Sequence, residues 1–278
     1  MTTGRNSTHN EKDILTISSD SIHDFQVCGR LYDYRYNSEL NQFVSKRDLL
    51  AQRYDNTLKK IVSFFFYKKQ GGYIPSYSAL LSRWERAWFP KDMTTYDLAL
   101  EQHESAFGNL ASYSNDATSV LLGFYENFAD DEGEPFLIDE PYTVQIDDHI
   151  RLEGSFDLVL RYRKHNLFRV IKWSTKKRKP TTASLITDFS SIKYAFDFKS
   201  RDKEISKSFG LYDLASPKPG FYSVDVTSDD VNALLYWARE IDKEKIFPSR
   251  RGLTAYCKVC PYDSPCSNFV IPKDSSDT

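Results

Sequence analysis

The apolar positions in the first half of the chain recur at the spacing of amphipathic α-helices. Apolar side chains follow one another every three or four positions between about residues 46 and 70, and Gly71 with Gly72 ends this run. Similar runs cover about 76–88 and 94–128, the first of which stops at Pro90. We therefore predict three helices in this part of the chain, packed together through their aromatic side chains.

The second half of the chain changes to the alternation that is typical of strands. Segments with this pattern are 135–147, 150–162, 167–174 and 221–226. Helices predicted at about 188–198 and 228–245 precede and follow the last strand. The predicted fold class is α/β (α+β), with a small mixed central sheet flanked by helices and a helical insertion over about 46–130.

Length and composition fit one domain with a sizeable core. The chain has 278 residues, of which 40% are hydrophobic and 15% aromatic. We predict a single domain over 18–270 and disordered polar tails at 1–17 and 271–278. The sequence contains no apolar run of roughly 18 residues and no signal core, so we expect no membrane partner. The expected location is intracellular, cytoplasmic or nucleoid-associated, and not secreted.

Three of the four cysteines lie close together near the end of the chain. Cys257, Cys260 and Cys266 have the spacing C-x2-C-x5-C, whereas Cys28 lies in a short helix predicted after Ser18. A tetrahedral thiolate site needs four ligands, and no cysteine would be left over. We therefore predict a four-cysteine metal site that joins the two ends of the chain.

Disulfides and buried structural thiols are the alternatives to a metal site. Disulfides fit poorly with the lack of a secretion signal, and closely spaced thiols are not typical of scattered core residues. Zinc and an iron–sulfur cluster both accept four thiolates, so the spacing does not choose between them.

The order of these features resembles the iron–sulfur members of the PD-(D/E)XK nuclease superfamily. The pattern is most similar to the RecB- and AddB-like branch and to the CRISPR-adaptation exonucleases. The resemblance covers about 18–270 and rests on Cys28, the helical insertion, Gly154-Ser155-Phe156-Asp157 with the strand after it, and the terminal cysteines. The cysteine pattern is specific, whereas G-x-x-D alone is weak. The resemblance implies that Cys28, Cys257, Cys260 and Cys266 hold a 4Fe–4S cluster, with zinc as the alternative.

The resemblance also implies catalytic positions, and the chain departs from the family there. The G-x-x-D carboxylate matches Asp157, but Lys172 stands where the family has its second carboxylate and Ser174 where it has its lysine. The following helix keeps Tyr194 of the glutamine-to-tyrosine motif and lacks the glutamine. Lys59 falls at the position that often supplies a histidine.

Charge decides what these differences mean for a metal ion. Side chains two apart on a strand share a face, so we expect Lys172 and Ser174 to lie together on the face of Asp157, where Lys172 would form an ion pair with Asp157. An ammonium group there repels a divalent cation, which predicts an inactive site. Mg²⁺ or Mn²⁺ would bind only if other carboxylates complete the site, and the candidates are Glu140, Glu153, Asp188 and Asp197.

A basic run spans the second strand of the motif and ends just after it, although the net charge of the whole chain is only -2. Residues 161–179 contain nine lysines and arginines and no acid. Phosphate binding is mainly electrostatic. The predicted nucleic-acid contacts are Arg163, Lys164, Lys176, Lys177, Arg178 and Lys179, with Tyr162, Trp173 and Tyr194 as candidates for base stacking.

The leading hypothesis is a catalytically inactive, nuclease-like iron–sulfur protein that binds single- or double-stranded DNA. It would act in DNA processing, recombination or repair, or as a partner of an active nuclease or helicase. The alternatives are an active Mg²⁺- or Mn²⁺-dependent DNA exonuclease with relocated catalytic residues, and a zinc-stapled protein-interaction module.

Overall fold

A computed structural model of the chain describes residues 14–37, 46–89, 105–175, 181–199, 205–215 and 220–244, together with 247, 257, 260, 262 and 266. The seven α-helices in these ranges are α1 (Ser19–Val27), α2 (Gly29–Tyr32), α3 (Lys46–Gln70), α4 (Tyr77–Trp88), α5 (Ser105–Phe128), α6 (Thr182–Lys199) and α7 (Ser228–Lys243). A single π-helical turn, Asp33–Asn37, extends α2. The part of the third predicted helix before residue 105 lies outside the described residues.

One mixed sheet of six strands forms the centre of the molecule. Its strands are β1 (Leu15–Ile17), β2 (Glu134–Gln145), β3 (Ile150–Tyr162), β4 (Leu167–Ser174), β5 (Ser206–Asp213) and β6 (Phe221–Val224). β2 runs antiparallel to β3 along one edge of β3, while β1 and β4 share the other edge. β5 lies parallel to β4 and β6 antiparallel to β5, so α6 is the crossover helix between two parallel strands. The predicted α/β (α+β) class with a mixed sheet is confirmed.

Two of the six strands, β1 and β5, were not predicted from the sequence. β1 has only three residues and lies in the stretch predicted to be a disordered tail. β5 buries four successive residues from Phe209 to Tyr212, so the alternation that marks a half-buried strand is missing.

Helices cover both faces of the sheet and define two cores. α3, α4 and α5 pack on one face through a core that contains Phe65, Phe66, Trp84, Trp88 and Phe124. The rings of Trp84 and Trp88 are stacked with centroids 5.1 Å apart. α1, α6 and α7 cover the other face, and their core contains Ile22, Phe156, Phe189, Phe196 and Leu234. The predicted aromatic packing of the helices is confirmed for the described side chains.

A capping motif fixes the start of α1 on this second face. The Ser18 hydroxyl accepts a hydrogen bond from the Ser21 amide, and the Ser21 hydroxyl accepts one from the Ser18 amide, which together form a capping box. α1 therefore begins at a fixed point and delivers Cys28 directly after its last turn. None of the helices in the described part of the chain is long and apolar enough to span a membrane.

Candidate functional site

The edge of β3 that β1 and β4 share has a gap in its middle. Pairing with β1 ends at Leu152, and pairing with β4 begins at Leu158. The residues of the gap from Glu153 to Ser155 are exposed. Asp157 stands where the gap meets β4, so the G-x-x-D sequence lies at an interruption of the sheet.

Asp157 occupies this interruption as a hydrogen-bond acceptor for the neighbouring strand. Phe156 and Leu158 are two apart yet belong to different cores, so the alternation of faces is broken at Asp157. The Asp157 Oδ2 atom accepts a hydrogen bond of 2.8 Å from the Trp173 amide, which replaces a backbone ladder bond between β3 and β4. Opposite Asp157, Asp139 of β2 has a positive φ of 50°.

Burial is the largest influence on the Asp157 carboxyl and raises its pKa above the ordinary value. Lys59, the Trp173 amide and Lys172 act in the opposite direction, in that order, and Asp139 adds to the rise. Positive charge therefore reaches Asp157 from α3 as well as from β4.

Lys172 pairs with a carboxylate on the crossover helix. Its Nζ atom lies 2.7 Å from Asp188 Oδ2 of α6. The expected ion pair between Lys172 and Asp157 is therefore wrong, because Asp157 is bonded to the Trp173 amide and α6 brings Asp188 to the ammonium group. Burial lowers the pKa of Lys172, but Asp188, with Asp20 and Asp157, outweighs burial and leaves that pKa raised. Lys172 is thus a charged residue at neutral pH.

Helix α3 supplies a second ion pair, which lies at the end of β4. Lys59 Nζ lies 3.2 Å from Asp55 Oδ2, and Asp55 Oδ1 accepts a hydrogen bond of 2.6 Å from the Thr175 hydroxyl. This contact ties the end of β4 to α3. We refer to Asp55, Lys59, Asp157, Lys172 and Asp188 together as the charge cluster.

Tyr142 supports the charge cluster from β2, and this role was not predicted from the sequence. Its hydroxyl lies 2.6 Å from the Ser191 hydroxyl of α6. Burial is the main reason that the pKa of Tyr142 rises to about 12, and Lys172, Asp188 and Asp157 all act on it. A Cβ atom at Gly154, its cross-strand partner, would lie 2.4 Å from the Tyr142 hydroxyl. The glycine of G-x-x-D therefore admits the tyrosine ring.

The remaining predicted catalytic residues lie at the periphery or away from the charge cluster. Ser174 is buried, and its carbonyl accepts a hydrogen bond of 2.6 Å from the Leu214 amide. Tyr194 donates a hydrogen bond of 3.5 Å to the Gln145 carbonyl at the β2–β3 hairpin. Ser174 is thus placed at the end of β4, and Tyr194 is directed to the opposite end of β3 from Asp157.

The described part of the basic run forms contacts within the protein. Arg163 lies 2.7 Å from Glu134, and Lys164 lies 2.7 Å from Glu132. Arg169 lies between the rings of Tyr162 and Phe221, 4.8 and 5.3 Å from their centroids. Four predicted contacts, Lys176, Lys177, Arg178 and Lys179, lie outside the described residues.

The expectation that Tyr162 and Trp173 stack on bases is wrong. Tyr162 is 7% exposed and Trp173 is 3% exposed, and both rings belong to the core under α3 and α5. The Tyr162 hydroxyl donates to the Asp131 carboxylate. Both aromatic residues stabilise the sheet because their side chains point into the helical layer.

The cysteines from the two ends of the chain lie against one small apolar cluster. Cys28 is buried with Leu31, Tyr34 and Tyr262, and Cys260 and Cys266 pack against this group. The Tyr34 and Tyr262 rings are 5.5 Å apart. We refer to the four cysteines and these neighbours as the cysteine cluster. The predicted meeting of the two ends is therefore present in the packing.

The thiols of the cysteine cluster influence one another electrostatically. Burial raises the pKa of the Cys260 thiol, the Tyr262 amide lowers it, and Cys266, Cys257 and Cys28 each raise it further. None of the four cysteines forms a disulfide. Among the described residues, no three or more His, Cys, Asp or Glu side chains are arranged around a single metal position. The donor chemistry suits a thiophilic cation, although the side chains do not form a closed ligand set.

Comparisons with known proteins add little to this description. No family model matches the chain, and no curated protein matches it. A crystal structure of a protein named SSO0001 has a TM-score of 0.40 at 12% identity, covering 95% of this chain and 91% of that chain. A "putative exonuclease" from Eubacterium rectale has a TM-score of 0.38 at 12% identity, covering 98% and 95%. Similarity at this level assigns no function.

Proposed function

We propose that this protein binds nucleic acid without cutting it, on a PD-(D/E)XK nuclease-like scaffold. The observation that carries the proposal is the way the motif positions are used. The Asp157 carboxylate is bonded to the Trp173 amide, and the Lys172 ammonium lies 2.7 Å from Asp188. The two residues at the motif positions are thus engaged with the protein itself.

A divalent cation would have to compete with these contacts. Mg²⁺ requires oxygen ligands in a near-octahedral arrangement and is usually held by one or two carboxylates. Lys172 keeps its charge because its pKa is raised, and it places a positive charge beside the carboxylate that a cation would need. The ammonium group of Lys172 therefore supplies the positive charge that a metal ion would otherwise supply to these carboxylates.

The nucleic-acid part of the proposal rests on the segment that leaves the charge cluster. Lys176, Lys177, Arg178 and Lys179 follow Thr175 directly, and Thr175 is bonded to Asp55 of α3. Four successive cations attached at this point would meet phosphate groups close to the gap in β3. Arg163 and Lys164 have acidic partners already, which makes them weaker candidates. The ligand in this proposal is DNA, and a nuclease or helicase partner would supply the cutting or unwinding.

The four cysteines are proposed to hold a 4Fe–4S cluster, with zinc as the alternative. Such a group would supply a structural clamp between α1–α2 and the end of the chain. Its support is the packing of Cys28 with Cys260 and Cys266 and the like-charge effect among the thiols. Thiolates are the ligand form, so binding would release protons and contribute to folding.

One observation favours a second candidate, an active Mg²⁺- or Mn²⁺-dependent DNA exonuclease. Asp188 comes from α6 to the strand end and contributes a carboxylate that the strand motif lacks. If Lys172 moved aside, Asp157 and Asp188 would be the ligands and Lys172 would remain close enough to act on a water molecule. In that candidate the relocated catalytic residue is Asp188.

Binding and cleavage assays with labelled single- and double-stranded DNA test both candidates. In the leading proposal, changing all four of 176–179 to glutamine weakens binding and reduces the salt slope by about 0.7–0.9 for each phosphate that the variant no longer neutralises. The double variant Arg163→Gln/Lys164→Gln is the matched control and should bind like the wild type. Equal effects of the two variants would contradict the proposed interface.

Cleavage is measured on the same substrates with Mg²⁺ and with Mn²⁺. We expect intact DNA with the wild type. Cleavage that is lost in both Asp157→Ala and Asp188→Ala would replace the leading proposal with the exonuclease. Colourless zinc-containing protein with no salt-sensitive DNA binding would instead point to a protein-interaction module.

A further inference from the structure

A cavity of about 400 Å³ lies at the other end of the α6–β5 layer from Asp188. It is lined by Lys193 of α6, by the start of β5 including Lys207, and by the residues that connect β6 to α7. Lys207 pairs in register with Phe168 of β4, four positions before Lys172, which corresponds to about 13 Å along the strand. The cavity is therefore separate from the charge cluster, although α6 contributes to both.

Two lysines that line this cavity share a single carboxylate, Asp197, which is not one of the lining residues. Lys207 Nζ is bonded to Asp197 Oδ1, and Lys193 Nζ lies 3.7 Å from Asp197 Oδ2. The Lys207 side chain is only 11% exposed and that of Lys193 is 23% exposed. No other carboxylate within the described ranges lies within ion-pair distance of either ammonium group. One positive charge is thus in excess at the inner wall.

The other lining residues of the cavity include a serine with a buried hydroxyl, an exposed aspartate and apolar side chains. Ser208 lines the cavity and has a buried hydroxyl that finds no hydrogen-bond partner in the described part of the chain. Asp225 is on the exposed side of the cavity, where water screens its charge. Phe209 and Val224 provide the apolar remainder. The acidic group therefore lies at the rim, while the lysines lie deeper.

We propose that this cavity binds a phosphate group between Lys193 and Lys207. Phosphate monoesters carry a charge of about −1.5 to −2 at neutral pH and offer several acceptor oxygens, which matches two ammonium donors with one shared counter-ion. The lysine stems are flexible enough to turn from Asp197 towards an anion in the cavity. The phosphate belongs either to a small phosphate ester or to the backbone of a nucleic acid.

Titration calorimetry with inorganic phosphate tests the site, using the full-length protein. Wild-type protein should bind phosphate saturably, and Lys193→Met and Lys207→Met should each weaken binding roughly tenfold or more. Lys243→Met is the matched control, because Lys243 is an exposed lysine with an acidic partner, Glu240, 2.9 Å away. The control variant should bind phosphate like the wild type.

Asp197→Asn separates a binding role from a structural one. Removing the carboxylate frees both ammonium groups, so phosphate should bind more tightly than to the wild type, whereas a merely structural ion pair predicts no gain. If the single lysine variant unfolds, Asp197→Asn/Lys207→Met can replace it, because it leaves the same net local charge as the wild type, and it should again bind weakly. Absence of saturable binding to the wild type, or weaker binding by Asp197→Asn, would overturn the proposal.

Competition identifies the source of the phosphate. Displacement by a short oligonucleotide that depends on Lys193 and Lys207 indicates a nucleic-acid backbone, and displacement only by a small phosphate ester indicates a metabolite. The glutamine variant of residues 176–179 should still bind inorganic phosphate, so this site can be present even if the proposed DNA interface is absent.

Discussion

The charge cluster and the cysteine cluster both gather ionisable side chains, and they balance charge in different ways. In the charge cluster Lys172 of β4 pairs with Asp188 of α6, and Lys59 pairs with Asp55 within α3, so each ammonium group has a carboxylate partner. In the cysteine cluster the side chains that act on the Cys260 thiol are the other three cysteines, and each of them raises its pKa. The first site is compensated by its own residues, while the second consists of groups whose ionised forms repel one another.

This difference indicates where an external cation would be stabilising. A cation at the cysteine cluster would remove repulsion between thiolates and would join two ends of the chain. A cation at the charge cluster would first have to displace Lys172 from Asp188, and displacing an ammonium group leaves it without its partner. This contrast is the reason that we propose a metal at the cysteines and a metal-independent role at Asp157.

The largest expected effect comes from Cys260→Ser. We expect loss of bound iron or zinc and a fall of more than about 3 kcal/mol in the free energy of unfolding, because a lost ligand removes metal-coupled folding energy. Anaerobic metal analysis and urea denaturation measure both. Wild-type protein stripped with a chelator is the control, and against it the variant should differ by only about 1 kcal/mol. Wild-type metal content in the variant would contradict a four-cysteine site.

The ion pair of the charge cluster should show the next largest effect. Lys172→Met leaves Asp188, whose side chain is 18% exposed, without its ammonium partner, and we expect a loss of about 2 kcal/mol of stability. Lys172→Met/Asp188→Leu should recover most of the loss, since neither charge then remains. Lys164→Met is the control, because the Lys164 side chain is 80% exposed and the loss of its solvent-screened ion pair should leave the stability close to that of the wild type. Equal losses of stability in Lys172→Met and Lys164→Met would mean that the Lys172–Asp188 ion pair stabilises the fold no more than an exposed ion pair does.

The parts of the fold that local pattern controls were predictable from the sequence. β3 and β4 have the predicted bounds, Ile150–Tyr162 and Leu167–Ser174, because each strand shows alternation and a turn follows β3. The long helix α3 ends at Gln70 as the glycine pair indicated. β5 was missed because a strand buried on both faces has no alternating pattern, and only its parallel neighbour β4 reveals it.

The pairing of side chains in the site was less predictable than the strands that carry them. Cys28 packs in the same cluster as Cys260 and Cys266, as expected, while the four-ligand site behind that expectation stays a prediction. The partner of Lys172 depends on where α6 passes over the sheet, and no local pattern encodes the distance to Asp188. Tyr142 was overlooked for the same reason, although its register with Gly154 across the β2–β3 hairpin was a usable signal.

Gly154→Ala tests how Tyr142 supports the charge cluster. A Cβ atom would approach the Tyr142 hydroxyl to 2.4 Å, so the ring must shift, and we expect a cost of about 1–2 kcal/mol in urea denaturation. In the Tyr142→Ala background the same substitution should cost less, and the coupling between the two positions should be at least about 0.5 kcal/mol. Ser155→Ala, at an exposed neighbouring position, is the control and should be near neutral. If the new methyl group did not contact the Tyr142 ring, the effects of Gly154→Ala and Tyr142→Ala on stability would instead be additive.

The smallest effect concerns the charge of Asp157 and is tested by Asp157→Asn across a pH series. The pKa of the folded carboxyl is raised above 3.8, so the wild-type carboxyl contributes most to stability below pH 3.8 and loses this contribution as the pH rises through the folded pKa. Asparagine keeps an acceptor for the Trp173 amide and carries no charge. Relative to the wild type, Asp157→Asn should therefore gain stability between about pH 3.8 and neutral pH, as measured by urea denaturation at each pH. The reverse trend would show that Lys59 and Lys172 stabilise the Asp157 carboxylate more than burial penalises it, and the charge cluster would then hold its acid by ion pairing.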